Sequence, residues 1–240
     1  MKLAIDIGNS RAKFAVFEGN DILFSGESSH DELRNELHNL ALKHPKLNKG
    51  IVADVTKRGA SLLANWEIFP LFYLNHQSKL PITINYLTPQ SLGIDRIALA
   101  SAGRNLFPHS NILIIDAGSC ITFDFLNANH SFLGGSISPG ISMRYRALND
   151  YTAALPRLKP QRPKNLVGKS TSQAIHQGVV GGVIAEIENQ IKRFKKEYEN
   201  LTVILTGGDA EFLFKQLKSG IFVRQNFLLE GLNAILDQNS

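Results

Sequence analysis

The chain has 240 residues, 43% of them apolar and 20% charged, with a net charge of +5; this excludes a disordered or low-complexity chain, and so small a basic surplus requires no nucleic-acid partner and suits a protein that handles phosphates and acids. A single cysteine, Cys120, excludes an internal disulfide and a cysteine-built zinc site, which points to a reducing, cytoplasmic compartment. No stretch approaches the roughly 20 apolar residues of a membrane span, and the apolar start Leu3-Ala4-Ile5 is cut by Asp6 too early for a secretion signal, so no membrane partner is expected.

Residues 2–5 read as a buried strand, 6–10 as a polar turn and 12–17 as a second strand, together a β-hairpin. A strand over 21–25 follows, then a helix over 30–44 with Leu33, Leu37, Leu40 and Ala41 on one face. Residues 50–55 form a short strand, and 68–74 and 82–86 are weaker strand candidates. A narrow helix, preceded by Ser91 or Gly93, runs to about Asn105. The opening pattern then returns, with a strand over 111–115, a turn at 116–119 and a strand over 122–126. Two hairpins of the same pattern, about 110 residues apart, point to an internal duplication. Residues 134–140 read as a glycine-rich loop, 142–151 as a helix and the prolines Pro156, Pro160 and Pro163 as an irregular connection. Thr171 or Ser172 caps a long helix, whose cluster Lys192, Arg193, Lys195 and Lys196 reads as a solvated face. A strand over 203–205, a turn at 206–210, a short helix and a last helix over 228–236 complete an α/β chain.

Three turns carry chemistry. Asp6-Ile7-Gly8-Asn9-Ser10 offers backbone N–H donors and small side chains, which a phosphate chain needs at close range. Asp6 also suits a hydrated Mg²⁺, because hard cations take carboxylate and water oxygens. The same residues favour an ordinary hairpin turn. Asp116-Ala117-Gly118-Ser119 repeats the arrangement, and Thr206-Gly207-Gly208-Asp209 adds a third glycine turn after a strand, where backbone can approach a flat ring or ribose.

The ordered set resembles the two phosphate motifs and the adenosine motif of the actin, sugar kinase and Hsp70 superfamily. Within it the chain is similar to type III pantothenate kinases. Asp6-Ile7-Gly8-Asn9-Ser10 resembles that family's opening motif, Gly93-Ile94-Asp95-Arg96 its Gly-x-Asp-Arg, and Asp116-Ala117-Gly118-Ser119 its second phosphate motif. Gly134-Gly135 to Pro139-Gly140, Gly168-Lys169-Ser170-Thr171 and the Thr206 turn fall in the family's order.

The resemblance implies two duplicated actin-like ATPase (ribonuclease H-like) halves, 1–110 and 111–240. Each is a mixed sheet flanked by helices, with the nucleotide in the cleft between them. It implies a phosphotransferase that moves the γ-phosphoryl of ATP to the primary hydroxyl of pantothenate, giving 4'-phosphopantothenate, the first step of coenzyme A biosynthesis. Asp95 is then the catalytic base; its other reading is a carboxylate that complements the helix dipole. Asp6, Ile7, Gly8, Asn9, Ser10, Arg11, Ala12 and Lys13 bind ATP, with Ser119, Gly207 and Gly208. Tyr86, Gly93, Ile94, Asp95, Arg96 and Thr171 contact pantothenate, the guanidinium of Arg96 matching its carboxylate. Arg96 also reads as half of a surface ion pair, and Tyr86 as a packed aromatic. Asp116 holds a monovalent cation, K⁺ or NH₄⁺, and Asp6 holds Mg²⁺ (or another divalent cation) through water. Thr171 follows Lys169-Ser170 where the family usually has Arg-Asn, and Ser119 stands where Thr is usual. Cys120 reads as a small packed residue. The family is homodimeric, and Gly178, Gly181 and Gly182, each costing roughly 1 kcal/mol against Ala in a helix, mark either a close helix contact or a helix break. Two other readings are a kinase for another small hydroxy acid and a nucleotide-binding regulator without turnover.

Overall fold

The structure is a computed structural model that describes residues 1–56 and 58–239. Its early elements are β1 (Lys2–Ile7), β2 (Ala12–Glu18), β3 (Asp21–Ser28), α1 (Leu33–Lys43), β4 (Lys49–Asp54), α2 (Gly59–Leu62), β5 (Leu71–Tyr73), β6 (Thr83–Ile84) and α3 (Ile94–Leu106). Then come β7 (Asn111–Ala117), β8 (Cys120–Leu126), β9 (Ser131–Pro139), α4 (Ile141–Asp150), α5 (Thr171–His176), α6 (Gly182–Glu197), β10 (Leu201–Thr206), α7 (Ala210–Phe214), β11 (Phe222–Val223) and α8 (Phe227–Gln238). They form two packing units, one of Met1–His109, Asn129–Leu133 and the segment from Asn226 onward, the other of Ser110–Ala128 and Gly134–Gln225.

In the first unit a sheet of order β3-β2-β1-β4-β5 is antiparallel at β1/β2 and β2/β3 and parallel at β1/β4 and β4/β5. Strand alternation sends Leu3, Ile5 and Ile7 to one face, where they meet Leu33, Leu37 and Leu40 of α1. Each such leucine, fully buried, contributes about 1.5–3 kcal/mol. The other face carries Lys2, Ala4 and Asp6. Here Lys2 Nζ bonds both carboxylate oxygens of Asp237 on α8, at 2.8 and 2.7 Å. Helix α8 packs on β1, β4 and α3, and it touches α3 through Gly231, where a Cβ would lie 1.8 Å from the Ala98 carbonyl oxygen. Asp6 therefore sits on the side of the sheet that α8 covers.

In the second unit β7 pairs antiparallel with β8 and parallel with β10, which pairs parallel with β11. Leu113, Ile115, Ala117, Ile121 and Phe123 point into a core with Ile141, Tyr145, Val183, Ile187 and Ile191 from the helices. Asp116, Thr122 and Asp124 alternate to the opposite face.

Several expectations change. Asp6 and Asp116 lie inside strands, so the turns begin at Gly8 and Gly118. Residues 134–139 continue strand β9 instead of forming a loop. The glycines that suggested a loop permit close strand contact: a Cβ on Gly135 would fall 1.7 Å from the Phe123 carbonyl oxygen. The cap of α5 is Ser170, whose hydroxyl accepts the Gln173 N–H, not Thr171 or Ser172. The glycines at 178–182 do not break the helix: α5 runs into α6 through a π-helical turn, Gln177–Gly181.

Candidate active site

The register of β1 and β2 pairs Ile7 with Ala12 and Asp6 with Lys13, leaving Gly8, Asn9, Ser10 and Arg11 as the first turn. Gly8 N–H donates to the Arg11 carbonyl at 3.1 Å. A Cβ on Gly8 would meet that same oxygen at 3.2 Å, so the turn is tight without requiring a left-handed backbone. Asn9, Ser10 and Arg11 are exposed. Arg11 pairs with Glu27 at 3.1 Å on the surface, a contact worth little in water. Two groups brace the turn. His30 Nε2 lies 2.9 Å from the Gly8 carbonyl oxygen, and Val55 N–H donates to the Ile7 carbonyl at 3.3 Å. The loop bearing Val55 is tied by Asp54, whose carboxylate accepts the N–H and hydroxyl of Thr56, both at 2.8 Å, and the Gly59 N–H at 2.6 Å.

Helix α3 of the same unit opens with the second motif. Gly93 precedes it, and Asp95 folds back so that its Oδ1 accepts the Arg96 N–H at 2.9 Å. A Cβ on Gly93 would stand 2.3 Å from that oxygen, so a side chain there would displace the carboxylate. Arg96 is only 6% exposed, which rules out the surface ion pair. Its guanidinium carbon sits 5.6 Å from the centroid of the Phe132 ring, and Tyr86 approaches the same ring with centroids 6.1 Å apart. A cation placed over an aromatic ring is attracted by the ring's negative face. Phe132 thus joins two expected substrate residues that are ten apart in sequence; it reaches them because Thr83 and Ile84 of β6 pair with Ser131 and Phe132 of β9.

In the second unit the turn after Asp116 is shorter, with Gly118 N–H donating to the Cys120 carbonyl at 2.9 Å. Cys120 is half-buried and serves the turn through its backbone. Two further glycines close on this turn. Gly207 has φ of +95°, and a Cβ there would fall 2.4 Å from both the Ala117 carbonyl oxygen and Asp116 Oδ1. Gly140 N–H donates to the Ser119 carbonyl at 3.1 Å, and its Cβ would lie 2.3 Å from the Gly118 carbonyl oxygen. Asp209 N–H bonds the Ala117 carbonyl at 2.9 Å. Asp116, Ser119, Gly207 and Gly208 therefore gather at one end of β7 and β10, where Asp116 pairs with Thr206. Burial pushes the Asp209 carboxyl above its ordinary value. Thr171 is exposed as the first residue of α5.

The residues suit oxygen-seeking cations. Gly207 leaves open the space beside Asp116 Oδ1 that a side chain would fill. Among the described residues no group of three His, Cys, Asp or Glu makes a ready cage, and a cation held by one carboxylate, water and substrate phosphates needs none. Sequence reasoning missed His30 and Phe132, whose contacts lie 22 or more residues away and carry no local signature; it also missed Asp54, whose bonds to Thr56 and Gly59 are local, and passed over Gly140 as a site glycine.

The type III pantothenate kinase family profile matches residues 2–193. A type III pantothenate kinase of Flavobacterium johnsoniae is 44% identical over 236 residues, covering 97% of this chain and 96% of that protein. One of Phocaeicola vulgatus is 40% identical over 242 residues, covering 100% and 99%. Among solved structures, a glucokinase from an Antarctic psychrotroph superposes with a TM-score of 0.56 at 14% identity, covering 100% of this chain and 99% of that one. A conserved Campylobacter jejuni chain, proposed to be a Baf family transcriptional activator, gives 0.66 at 24% identity, covering 99% and 98%. These two likenesses show a shared α/β fold alone. The family profile and the full-length identities go further: the chain belongs to the type III pantothenate kinase family.

Proposed function

We propose that the chain phosphorylates pantothenate with ATP, the opening step of coenzyme A biosynthesis. One observation carries the reading beyond family membership: a carboxylate and a buried guanidinium on successive residues, Asp95 and Arg96, at the start of one helix. An acid bearing a primary hydroxyl needs both, one group to take the proton and one to grip the carboxylate. The hydroxyl oxygen bonds to the γ-phosphorus, the bond from that phosphorus to the β-bridging oxygen breaks, ADP leaves, and Asp95 takes the hydroxyl proton. Phosphoryl transfer of this kind asks the protein for positioning and charge stabilisation more than covalent chemistry.

In this reading Asp6, Ile7, Gly8, Asn9, Ser10, Arg11, Ala12 and Lys13 serve the phosphates, with Lys13 as the cationic neighbour of Asp6. Ser119, Gly207 and Gly208 also serve ATP. Tyr86, Gly93, Ile94 and Arg96 hold pantothenate, and Thr171 completes that site from the partner of a homodimer. Asp6 holds Mg²⁺ through water, and Asp116 holds K⁺ or NH₄⁺; the two cations offset phosphate charge. The chain is read as two repeats, 1–110 and 111–240, working in the cytoplasm. The homodimer reading draws on α5–α6: among the described residues a Cβ at Gly178 or Gly182 would meet nothing within 4 Å, which leaves space there for a partner's approach.

The test is ADP release by the purified protein with ATP and Mg²⁺, with and without pantothenate, in K⁺ and then Na⁺ buffer. Turnover that requires pantothenate and is faster in K⁺ is expected. ADP release indifferent to pantothenate would refute the substrate; equal rates in the two buffers would refute the Asp116 role alone.

A further inference from the structure

We infer that His30 is a positioning residue for ATP, one that sets the direction of the first phosphate turn through its backbone. The inference rests on the reading of residues 6–13 as an ATP site. A carbonyl oxygen only accepts, so the 2.9 Å contact between His30 Nε2 and the Gly8 oxygen places a proton on Nε2. Both the neutral tautomer with that proton and the imidazolium can make the bond.

The consequence follows from peptide geometry. Across a planar trans peptide, the carbonyl of Gly8 and the N–H of Asn9 point in opposite directions. A ring that holds the Gly8 oxygen therefore turns the Asn9 N–H to the far side of the turn. The other bonds at this turn have the same polarity. The Ile7 carbonyl accepts from Val55 N–H, and the Arg11 carbonyl accepts from Gly8 N–H. Three carbonyl oxygens are thus engaged by the protein, and the Asn9 N–H is turned away from the His30 ring, a donor that suits an anion. Glycine at position 8 makes this bracing necessary, because it leaves the peptide plane easy to rotate.

His30 is well placed to act without being part of either strand. It is half-buried just before α1, and its own carbonyl accepts the Leu33 N–H at 3.4 Å, which a ring substitution leaves intact. The ring contact spans 22 residues and ends on the turn, not in the hydrophobic core.

The experiment compares His30→Ala, His30→Asn and His30→Gln with the parent in pantothenate-dependent ADP release, fitting KM for ATP and for pantothenate separately. Lys13→Met, which removes a proposed phosphate partner, serves as the check on the underlying reading, and thermal melting checks folding. Gln carries an amide N–H at about the reach of Nε2; Asn reaches only as far as Nδ1. The Ala and Asn variants are expected to raise KM for ATP about tenfold, the worth of one lost hydrogen bond, with KM for pantothenate unchanged and Gln restoring most of the loss. Should the Ala variant not fold, the Gln and Asn pair decides. A normal KM for ATP in the Asn variant, beside a raised one in Lys13→Met, would overturn the role of His30 and leave the ATP site standing. Normal values in both would overturn the two together.

Discussion

The hairpin of β1 and β2 turns over four residues, 8–11, while that of β7 and β8 turns over three, 118–120. Both follow an aspartate on the polar face of a strand. The first turn is braced from outside itself, by the His30 ring and by the N–H of Val55, and its Asn9, Ser10 and Arg11 remain exposed. The second is braced by backbone lying on backbone, with Gly140 and Gly207 so near that neither position has room for a methyl group. One motif is thus held in two ways, in the first unit by one side-chain and one backbone hydrogen bond from neighbouring segments, and in the second by glycines whose places no larger residue can take. The two turns should therefore respond differently to mutation.

The largest difference is expected from glycine substitutions. Gly207→Ala adds a Cβ at a positive φ and against two oxygens, and is expected to cost about 3 kcal/mol or more in chemical denaturation and to abolish ATP turnover. Gly8→Ala meets one oxygen at 3.2 Å with no positive φ, and is expected to cost less than about 1.5 kcal/mol. Equal losses would break the comparison. Next come the aspartates. Asp116→Asn is expected to erase the rate difference between K⁺ and Na⁺ buffers, whereas Asp6→Asn is expected to keep it and raise the Mg²⁺ concentration needed for half-maximal turnover. A titration of each cation distinguishes the two.

The smallest effect concerns Asp209, on the turn that packs against the second hairpin. Burial raises its carboxyl above the ordinary 3.8. The folded state therefore holds more protons than the unfolded chain between 3.8 and the raised value, and stability falls as pH rises through that window. Asp209→Asn is expected to raise the melting midpoint slightly at neutral pH and to lose that gain below the unfolded carboxylate value. A midpoint difference independent of pH would contradict this.

Much of this arrangement was legible in the residues. Alternation and turn chemistry marked both hairpins, and the order of Asp6, Asp95, Asp116 and the Thr206 turn pointed to a kinase. What escaped was set at a distance. Gly134 and Gly135 read as a loop because glycine usually marks one; in the fold Gly135 is needed because the Phe123 backbone passes beside it. Arg96 read as a pantothenate contact or as half of a surface ion pair, and nothing local shows that Phe132, brought in by a two-residue parallel pairing, lies beside its guanidinium. The division at 110/111 follows the repeat of the hairpins. Packing follows contacts, and there α8, from the far end of the chain, completes the first unit by closing on β1, β4 and α3.

The central claim is that this chain transfers phosphate to pantothenate with Asp95 as the base. The most direct measurement is mass spectrometry of the reaction of ATP, Mg²⁺, K⁺ and pantothenate, catalysed by the parent protein and by Asp95→Asn. The parent is expected to form 4'-phosphopantothenate, and the variant to form it roughly 10²- to 10⁴-fold more slowly, with nucleotide binding retained. An Asp95→Asn protein that makes phosphopantothenate at the parent rate would contradict it.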